Sequence, residues 1–285
     1  MPELPEIETL RLGLKKYLVG HEIENIDIKI AKMFQGDPKN IIGATVKDIK
    51  RIGKGIIIEL NNGYVLAVHL KMTGQLVYSG KETKKVKISA KTGGSLPSKW
   101  THVIFTLDQG ASLFFNDLRR FGWIKVFKKD EVLELPFFKE MGPEPLPSSG
   151  QASLTIEQFK QILLKSNTPV KVLLMDQKRI GGIGNIYAND ALYKAGVDPR
   201  RLGKTLSNQE IKNLYKSIFF VLEQGLKYGG SSEVDYVNAL GEEGNYQDHT
   251  LVYGKKGQKC PKGNGTIQKI YLGGRGTYFC PACQH

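Results

Sequence analysis

The chain has 285 residues, 40% of them hydrophobic, and its 41 Lys plus Arg against 28 Asp plus Glu leave a net charge of +13. An excess of that size points to a polyanionic partner, most often nucleic acid. No apolar run approaches transmembrane length, no leader pattern opens the chain, and three cysteines in the last 26 residues make no disulfide framework, so a soluble cytoplasmic protein of two domains with a small appendage is expected.

Residues 3–18 predict an amphipathic helix with Ile7, Leu10, Leu14 and Leu18 on one stripe and Gly20 after its end. Glutamates in its first turn suit the positive end of the helix dipole. The stretch "MPELPEIET" leads into it. Proline at the second position is small enough for the initiator to be trimmed, and a terminal proline exposes a secondary amine that can act as a nucleophile. With Met1 retained, Pro2 is an amide and cannot attack. Short β-rich runs follow ("GIIIEL", "YVLAVHL", "HVIFTL", "SLFF", "WIKVF"), punctuated by "NNG" and "DQG", which is a sheet or sandwich pattern. Between two of them "SGKETKKVKISAKTGGSLPSK" carries six lysines and reads as a solvated, mobile loop.

Near "GPEPLPSSG" the texture turns helical, which marks a domain boundary. Thr168 is expected to cap a helix with Pro169 at its first position. "NIYANDALYKAG" ends on a C-terminal glycine, and Ser207 with Glu210 forms a capping box before a helix whose apolar face holds Ile211, Leu214, Ile218 and Leu222. "GGIGNIYAND" is a glycine-rich turn opening a helix, with Asn185 at its start, where a phosphate could dock. The tail from Leu251 reads as a metal-type hairpin. "CPKG", sixteen residues and "CPAC" reproduce a C-x2-C-x16-C-x2-C zinc pattern except that Gly263 stands in the second cysteine's place.

Together these residues resemble the formamidopyrimidine-DNA glycosylase family of base-excision repair enzymes, which includes endonuclease VIII. The resemblance covers essentially the whole chain. "GKGIIIEL", "HLKMTG", "NDLRRFG", "MGPEPL", "GGIGNIYA" and "LVYGKKG" extend it, and "PELPE" with "GGSS…DYVNALGEEGNYQ" is closer to the formamidopyrimidine branch. The resemblance implies an α+β fold: an N-terminal β-sandwich with an N-terminal helix over 1–135, a helix–two-turn–helix domain over 136–250, and a zinc-finger-type β-hairpin over 251–285, with damaged double-stranded DNA between the domains. It implies a monomeric DNA glycosylase and AP lyase acting on oxidised purines. Pro2 would be the nucleophile forming a Schiff base, as lysine amines do elsewhere. Glu3 would transfer protons at the sugar. By itself Glu3 is an ordinary charge at a helix terminus.

By the same resemblance Lys54 works in base release and elimination. Met72, Arg119 and Phe121 fill the space of the flipped base. Lys171 and Asn185 meet phosphates, Arg275 grips phosphates around the lesion, and Ser231 and Ser232 open the segment covering the flipped base. Cys260, Cys280 and Cys283 are the zinc ligands, with water or His285 completing the shell, and the zinc is expected to be weakly held or absent, the hairpin then resting on its strand pairing alone. Three departures stand out. "KWTHV" places Trp100 where a DNA-contacting histidine is usual, leaving His102 as the contact. Ser166, beside Lys165, replaces a lysine. Gly263 replaces a cysteine. The rival readings are an endonuclease VIII-like preference for oxidised pyrimidines, a damage-binding protein without catalysis, and a generic nucleic-acid binder. The last explains the charge but not the N-terminus.

Overall fold

A computed structural model describes residues 1–147, 153–263 and 265–285. The chain divides into two compact units, one of Met1–Lys139 with Gly225–Gln247 and one of Glu140–Gln224 with Asp248–His285.

The first unit opens with helix α1 (Leu4–Leu18), whose apolar stripe of Ile7, Leu10, Leu14 and Leu18 is buried as its spacing demands. Nine strands follow: β1 (Ile23–Ile28), β2 (Phe34–Gln35), β3 (Val46–Ile52), β4 (Gly55–Leu60), β5 (Tyr64–His69), β6 (Gly74–Ser79), β7 (Thr101–Leu107), β8 (Ser112–Asp117) and β9 (Trp123–Lys128). They form a four-stranded sheet in the order β1-β7-β8-β6 and a five-stranded sheet in the order β2-β9-β5-β4-β3. Every pairing is antiparallel except the short β2–β9 contact. One core joins α1 to both sheets, through Ile56, Ile58, Leu66 and Val68 from one and Leu76, Val103, Phe105 and Phe115 from the other. The expected β-sandwich is therefore present. The apolar runs do not mark β1, β2, β3 or β6; Asn25 and Asp27 interrupt the first and Lys47 and Asp48 the third.

The lysine-rich stretch is less loose than its composition suggests. The Ser89 N–H donates to the Gly241 carbonyl at 2.7 Å, Lys91 pairs with Glu243 at 2.8 Å and also donates to the Ser232 carbonyl, and Thr92 is buried. This strap packs on the returning segment 225–247, which also meets α1: a Cβ on Gly13 would lie 2.7 Å from the Ala239 Cβ.

The second unit holds α3 (Ile156–Leu164), α4 (Val170–Leu174), α5 (Asn185–Ala195) and most of α6 (Asn208–Lys227), and it ends in the hairpin of β10 (Gln268–Leu272) and β11 (Arg275–Phe279). The short α2 (Pro136–Lys139) closes the first stretch of the other unit. The Ser207–Glu210 box is formed, with Ser207 N–H to Glu210 at 2.7 Å, and the four apolar positions on α6 are buried. Gly196 ends α5 with φ +74°, a left-handed position that glycine takes without strain. The α4 start differs from expectation by one residue: Pro169 occupies the cap position and Thr168 makes no cap, its N–H donating instead to Ser166 Oγ at 3.2 Å. Of the "GPEPLPSSG" boundary, residues 148–150 lie outside the described residues.

Candidate active site and metal centre

Pro2 and Glu3 close the N-terminal end of α1, and both are buried. Glu6, one turn in, fastens this end. Its Oε2 accepts the Glu3 N–H at 2.6 Å and its Oε1 accepts the Ser231 N–H at 2.8 Å. Gly230 permits the approach, for its φ is +85° and a Cβ there would lie 2.9 Å from Glu6 Cγ and 3.0 Å from the Tyr236 ring. Burial first, and then the Glu6 charge, push the Tyr236 phenol well above its usual range, so it stays neutral. Ser231 and Ser232 form the buried base of a loop. The Ser232 N–H donates to Gln247 at 2.8 Å, its hydroxyl donates to the Tyr236 carbonyl at 2.7 Å, and Gln75 donates to the Asp235 carbonyl at 2.7 Å. The loop tip at Val234 is exposed.

Lys54 sits in the β3–β4 turn just after Gly53, whose φ is +57°, and is buried. Arg51, fully buried, sets that turn. It donates to the Gly53 carbonyl at 2.8 Å and to Glu8 of α1 at 2.9 Å. Burial raises the Glu8 carboxyl, but its hydrogen bond from Arg11 and the nearby Arg51 guanidinium outweigh this and hold it below the usual carboxylate range. One part-buried ion pair thus ties the turn carrying Lys54 to α1, the helix that Pro2 precedes. Burial, followed by the charges of Lys71 and Lys54, pushes His69 down to about 3, so the ring is neutral at physiological pH. His69 Nδ1 accepts the Lys71 N–H at 2.9 Å, which shapes the turn that delivers Met72.

Met72, Arg119 and Phe121 are gathered by one residue, Asp117, at the end of β8 and completely buried. Its Oδ1 accepts the Thr73 hydroxyl and the Arg119 N–H at 3.1 Å. Its Oδ2 accepts the Phe121 N–H at 2.9 Å and the Gly122 N–H at 2.7 Å. Met72 is half-buried, and the Arg119 guanidinium lies over the Phe121 ring at 4.9 Å, with Phe121 54% exposed. An apolar wedge and a cation are therefore presented to solvent from a rigid base. His102, expected as a DNA contact, faces inward: its ring is buried and its Nε2 pairs with the Asp117 carbonyl at 2.9 Å. It braces the wedge loop.

In the second unit, Asn185 stands half-buried at the first turn of α5, where the helix N-terminus favours anions. Lys171, expected at a phosphate, is fully buried, and its ammonium donates to Thr277 Oγ1 at 2.8 Å and the Gly276 carbonyl at 3.1 Å. It holds β11 in place. Asp190 of α5 accepts the backbone N–H groups of Leu251 and Val252 at 3.0 Å and of Tyr253 at 3.1 Å, and so fixes the segment that leads to the hairpin. Gly273 and Gly274 turn the hairpin with φ of +57° and +72°, the two-residue turn that matches strand twist, and leave Arg275 exposed beside it.

The Sγ atoms of Cys260, Cys280 and Cys283 lie within 4.8 Å of one another, and Cys260 and Cys283 are 3.5 Å apart. A tetrahedral zinc with Zn–S of ~2.3 Å places its sulfurs about 3.8 Å apart, so the three thiols fit that ion. The hairpin thus carries a donor set suited to zinc. Gly263 offers no side chain. The His285 ring is exposed and is not part of the cluster, while its carbonyl accepts Asp198 N–H at 3.1 Å and Arg201 at 2.8 Å. Tyr193, which the sequence did not single out, places its hydroxyl 3.1 Å from Cys260 Sγ. Glu6, Arg51 and Asp117 were also missed. Each lies inside or beside a quoted motif, but its partners are remote in sequence or are backbone groups.

The chain matches the formamidopyrimidine-DNA glycosylase N-terminal domain family over residues 1–124, the H2TH domain of the same enzymes over 141–236, and a zinc finger found in FPG and IleRS over 257–285. It is 39% identical to a formamidopyrimidine-DNA glycosylase of Pelotomaculum thermopropionicum, covering 100% of this chain and 99% of the relative. A Lactococcus lactis FPG mutant in complex with Fapy-dG-containing DNA superimposes with a TM-score of 0.87 at 33% identity, covering 100% of both chains. The Lactococcus lactis Fpg bound to abasic-site DNA gives 0.87 at 33% identity, covering 99% of each.

Proposed function

The chain belongs to the formamidopyrimidine-DNA glycosylase family, and on that premise we propose that it is a bifunctional DNA glycosylase and AP lyase removing oxidised purines, 8-oxoguanine and formamidopyrimidines, from duplex DNA. The observation that carries this reading is the buried Pro2–Glu3 end of α1, fastened by Glu6 to the segment that begins at Ser231.

With Met1 removed, the lone pair of the Pro2 nitrogen attacks C1′ of the damaged nucleotide. The N–C1′ bond forms as the bond to the base breaks, and the base leaves with the electron pair and takes up a proton. Opening of the sugar ring gives the iminium. The iminium acidifies C2′, and loss of that proton expels the 3′ phosphate. A second elimination expels the 5′ phosphate, and water then frees Pro2. Glu3 moves protons at the sugar, and Lys54, beside the neutral His69, assists base release. Met72, Arg119 and Phe121 fill the gap left by the flipped nucleotide, offsetting a few kcal/mol of lost stacking. Asn185 and Arg275 hold phosphates, and the Ser231–Ser232 loop closes on the base.

Zinc, when bound to Cys260, Cys280 and Cys283, supplies structural closure of the hairpin. With Gly263 in place of a fourth thiolate it is readily removed by chelators. We read the protein as a monomer acting in the cytoplasm. No helix among the described residues is long and apolar enough to cross a membrane.

Borohydride trapping tests the central step. Protein whose intact mass shows loss of Met1 should form a stable adduct with 8-oxoguanine and abasic duplexes, and Pro2→Gly should lose most of it. An undiminished adduct in the variant assigns the attack to a lysine.

A further inference from the structure

We propose that Tyr193 supplies the fourth ligand of the zinc centre, its phenolate oxygen replacing the thiolate that Gly263 lacks. This rests on the reading of the cysteine cluster as a zinc site. Tyr193 lies on α5, and its side chain is buried in a small cluster with Val252, Cys260, Ile267 and Cys280. Its hydroxyl is 3.1 Å from Cys260 Sγ, which in turn is 3.5 Å from Cys283 Sγ. A tetrahedral zinc with three sulfurs at ~2.3 Å and one oxygen at ~2.0 Å sets oxygen and sulfur about 3.5 Å apart. The observed distance from the Tyr193 oxygen to Cys260 Sγ is thus within a few tenths of an ångström of a ligated one.

No other Cys, His, Asp or Glu joins the three thiols among the described residues. A Cβ built on Gly263 meets no heavy atom within 4 Å, and the His285 ring is outside the cluster. Lys262 holds the tyrosine from the knuckle side. Its ammonium donates to the Tyr193 carbonyl at 3.2 Å and lies 4.8 Å from the ring centre. As the Zn–O bond forms, the phenol gives its proton to solvent. Three thiolates and one phenolate around Zn²⁺ carry the same net charge as four thiolates. An oxygen ligand is less suited than a thiolate to a soft-ligand zinc site, so the centre closes but holds its ion less tightly than a four-cysteine one. The rival arrangement keeps the phenol neutral, donating a hydrogen bond to Cys260 while water completes the shell.

The test uses the full chain, demetallated and titrated with Zn²⁺. The wild type should bind one equivalent and develop the ultraviolet difference band of a tyrosinate. Tyr193→Phe, which keeps the ring and removes the oxygen, should lose that band and bind zinc at least ~10-fold more weakly, the lower end of what even outer-shell changes cost. In a Gly263→Cys background the same substitution should have little effect, because a thiolate then fills the place. Zinc binding by the wild type with no tyrosinate band overturns the assignment and leaves the zinc reading standing. Unchanged affinity in Tyr193→Phe does the same. A wild type that binds no zinc overturns both. The band is read on the wild type alone, so the test stands even if a variant folds poorly.

Discussion

Two buried aspartates organise the two units, over very different distances along the chain. Asp117 collects the Arg119, Phe121 and Gly122 N–H groups, two to five residues ahead of it, together with the Thr73 hydroxyl. Asp190 collects the N–H groups of Leu251, Val252 and Tyr253, more than sixty residues away. The first shapes the loop that exposes Arg119 and Phe121, and the second anchors the segment that leads into the hairpin. Both exploit the same physics: the two oxygens of one carboxyl side chain can accept from several backbone donors that no ladder satisfies.

The comparison is broken first at Asp117. In Asp117→Asn the amide nitrogen must face either the Arg119 N–H or those of Phe121 and Gly122, so the cost should be about 3–4 kcal/mol in denaturant unfolding. Lesion-DNA binding should weaken with it and zinc content should not change. An equal loss of zinc would mean that the two hubs are not independent.

Acid should separate the units next. His69 has a folded value near 3, below its ordinary 6.5, so the stability gained from a neutral ring is fully present above pH 6.5 and drains away as the pH falls toward 3. The total loss should amount to on the order of 5 kcal/mol, and His69→Phe should remove it. In the second unit the Arg201 hydrogen bond, working against burial, holds Glu210 at about 2, so that group keeps its charge through the same window. Its stability is lost only as the pH falls below 4.5 through 2. Unfolding monitored by hydrogen exchange at pH 7 and 5 should therefore show loss of protection in the sandwich before α6.

Asp190→Asn should cost less, about 2 kcal/mol, because Oδ1 can keep the Val252 and Tyr253 N–H groups while the amide is turned toward the Leu251 N–H. The loss should appear as weaker zinc retention and faster exchange at residues 251–253, with the wedge unaffected. The smallest effect is expected at Arg119→Ala, about 1 kcal/mol or five-fold in lesion-DNA affinity, with less change on undamaged duplex. Equal loss on both duplexes would make Arg119 a general phosphate contact.

What the sequence revealed follows the same division. Local periodicity marks α1, α5, α6 and the strongly apolar strands, and the motif strings nominate Pro2, Glu3, Lys54, Arg119 and the cysteines, of which the three thiols lie together. Partnerships across long separations stayed hidden. The family resemblance marks Lys171 as a phosphate ligand, whereas its ammonium here donates to Thr277 and Gly276. His102 likewise braces Asp117 from within. The lysine-rich stretch reads as solvated by composition, and only Glu243 and the Gly241 carbonyl reveal that it is docked. Tyr193 carries no signal at all until its hydroxyl is seen beside Cys260.

The segment Gly225–Gln247 belongs to the first unit although about 85 residues of the second unit precede it in the chain. Glu6 is among the first residues made, and its acceptor Oε1 finds its donor only at Ser231. At roughly 5–20 residues per second, the ribosome leaves the sandwich without this closing piece for roughly 4–17 s after residue 139 is made. Through that interval the Ser231 N–H that Glu6 Oε1 accepts, the Ala239 that packs on Gly13, and the Glu243 that pairs with Lys91 are all still to be made. The end of α1 that bears Pro2 is therefore completed late in synthesis, and a chain cut short before residue 225 would carry the whole N-terminal sequence motif without the segment that fastens it.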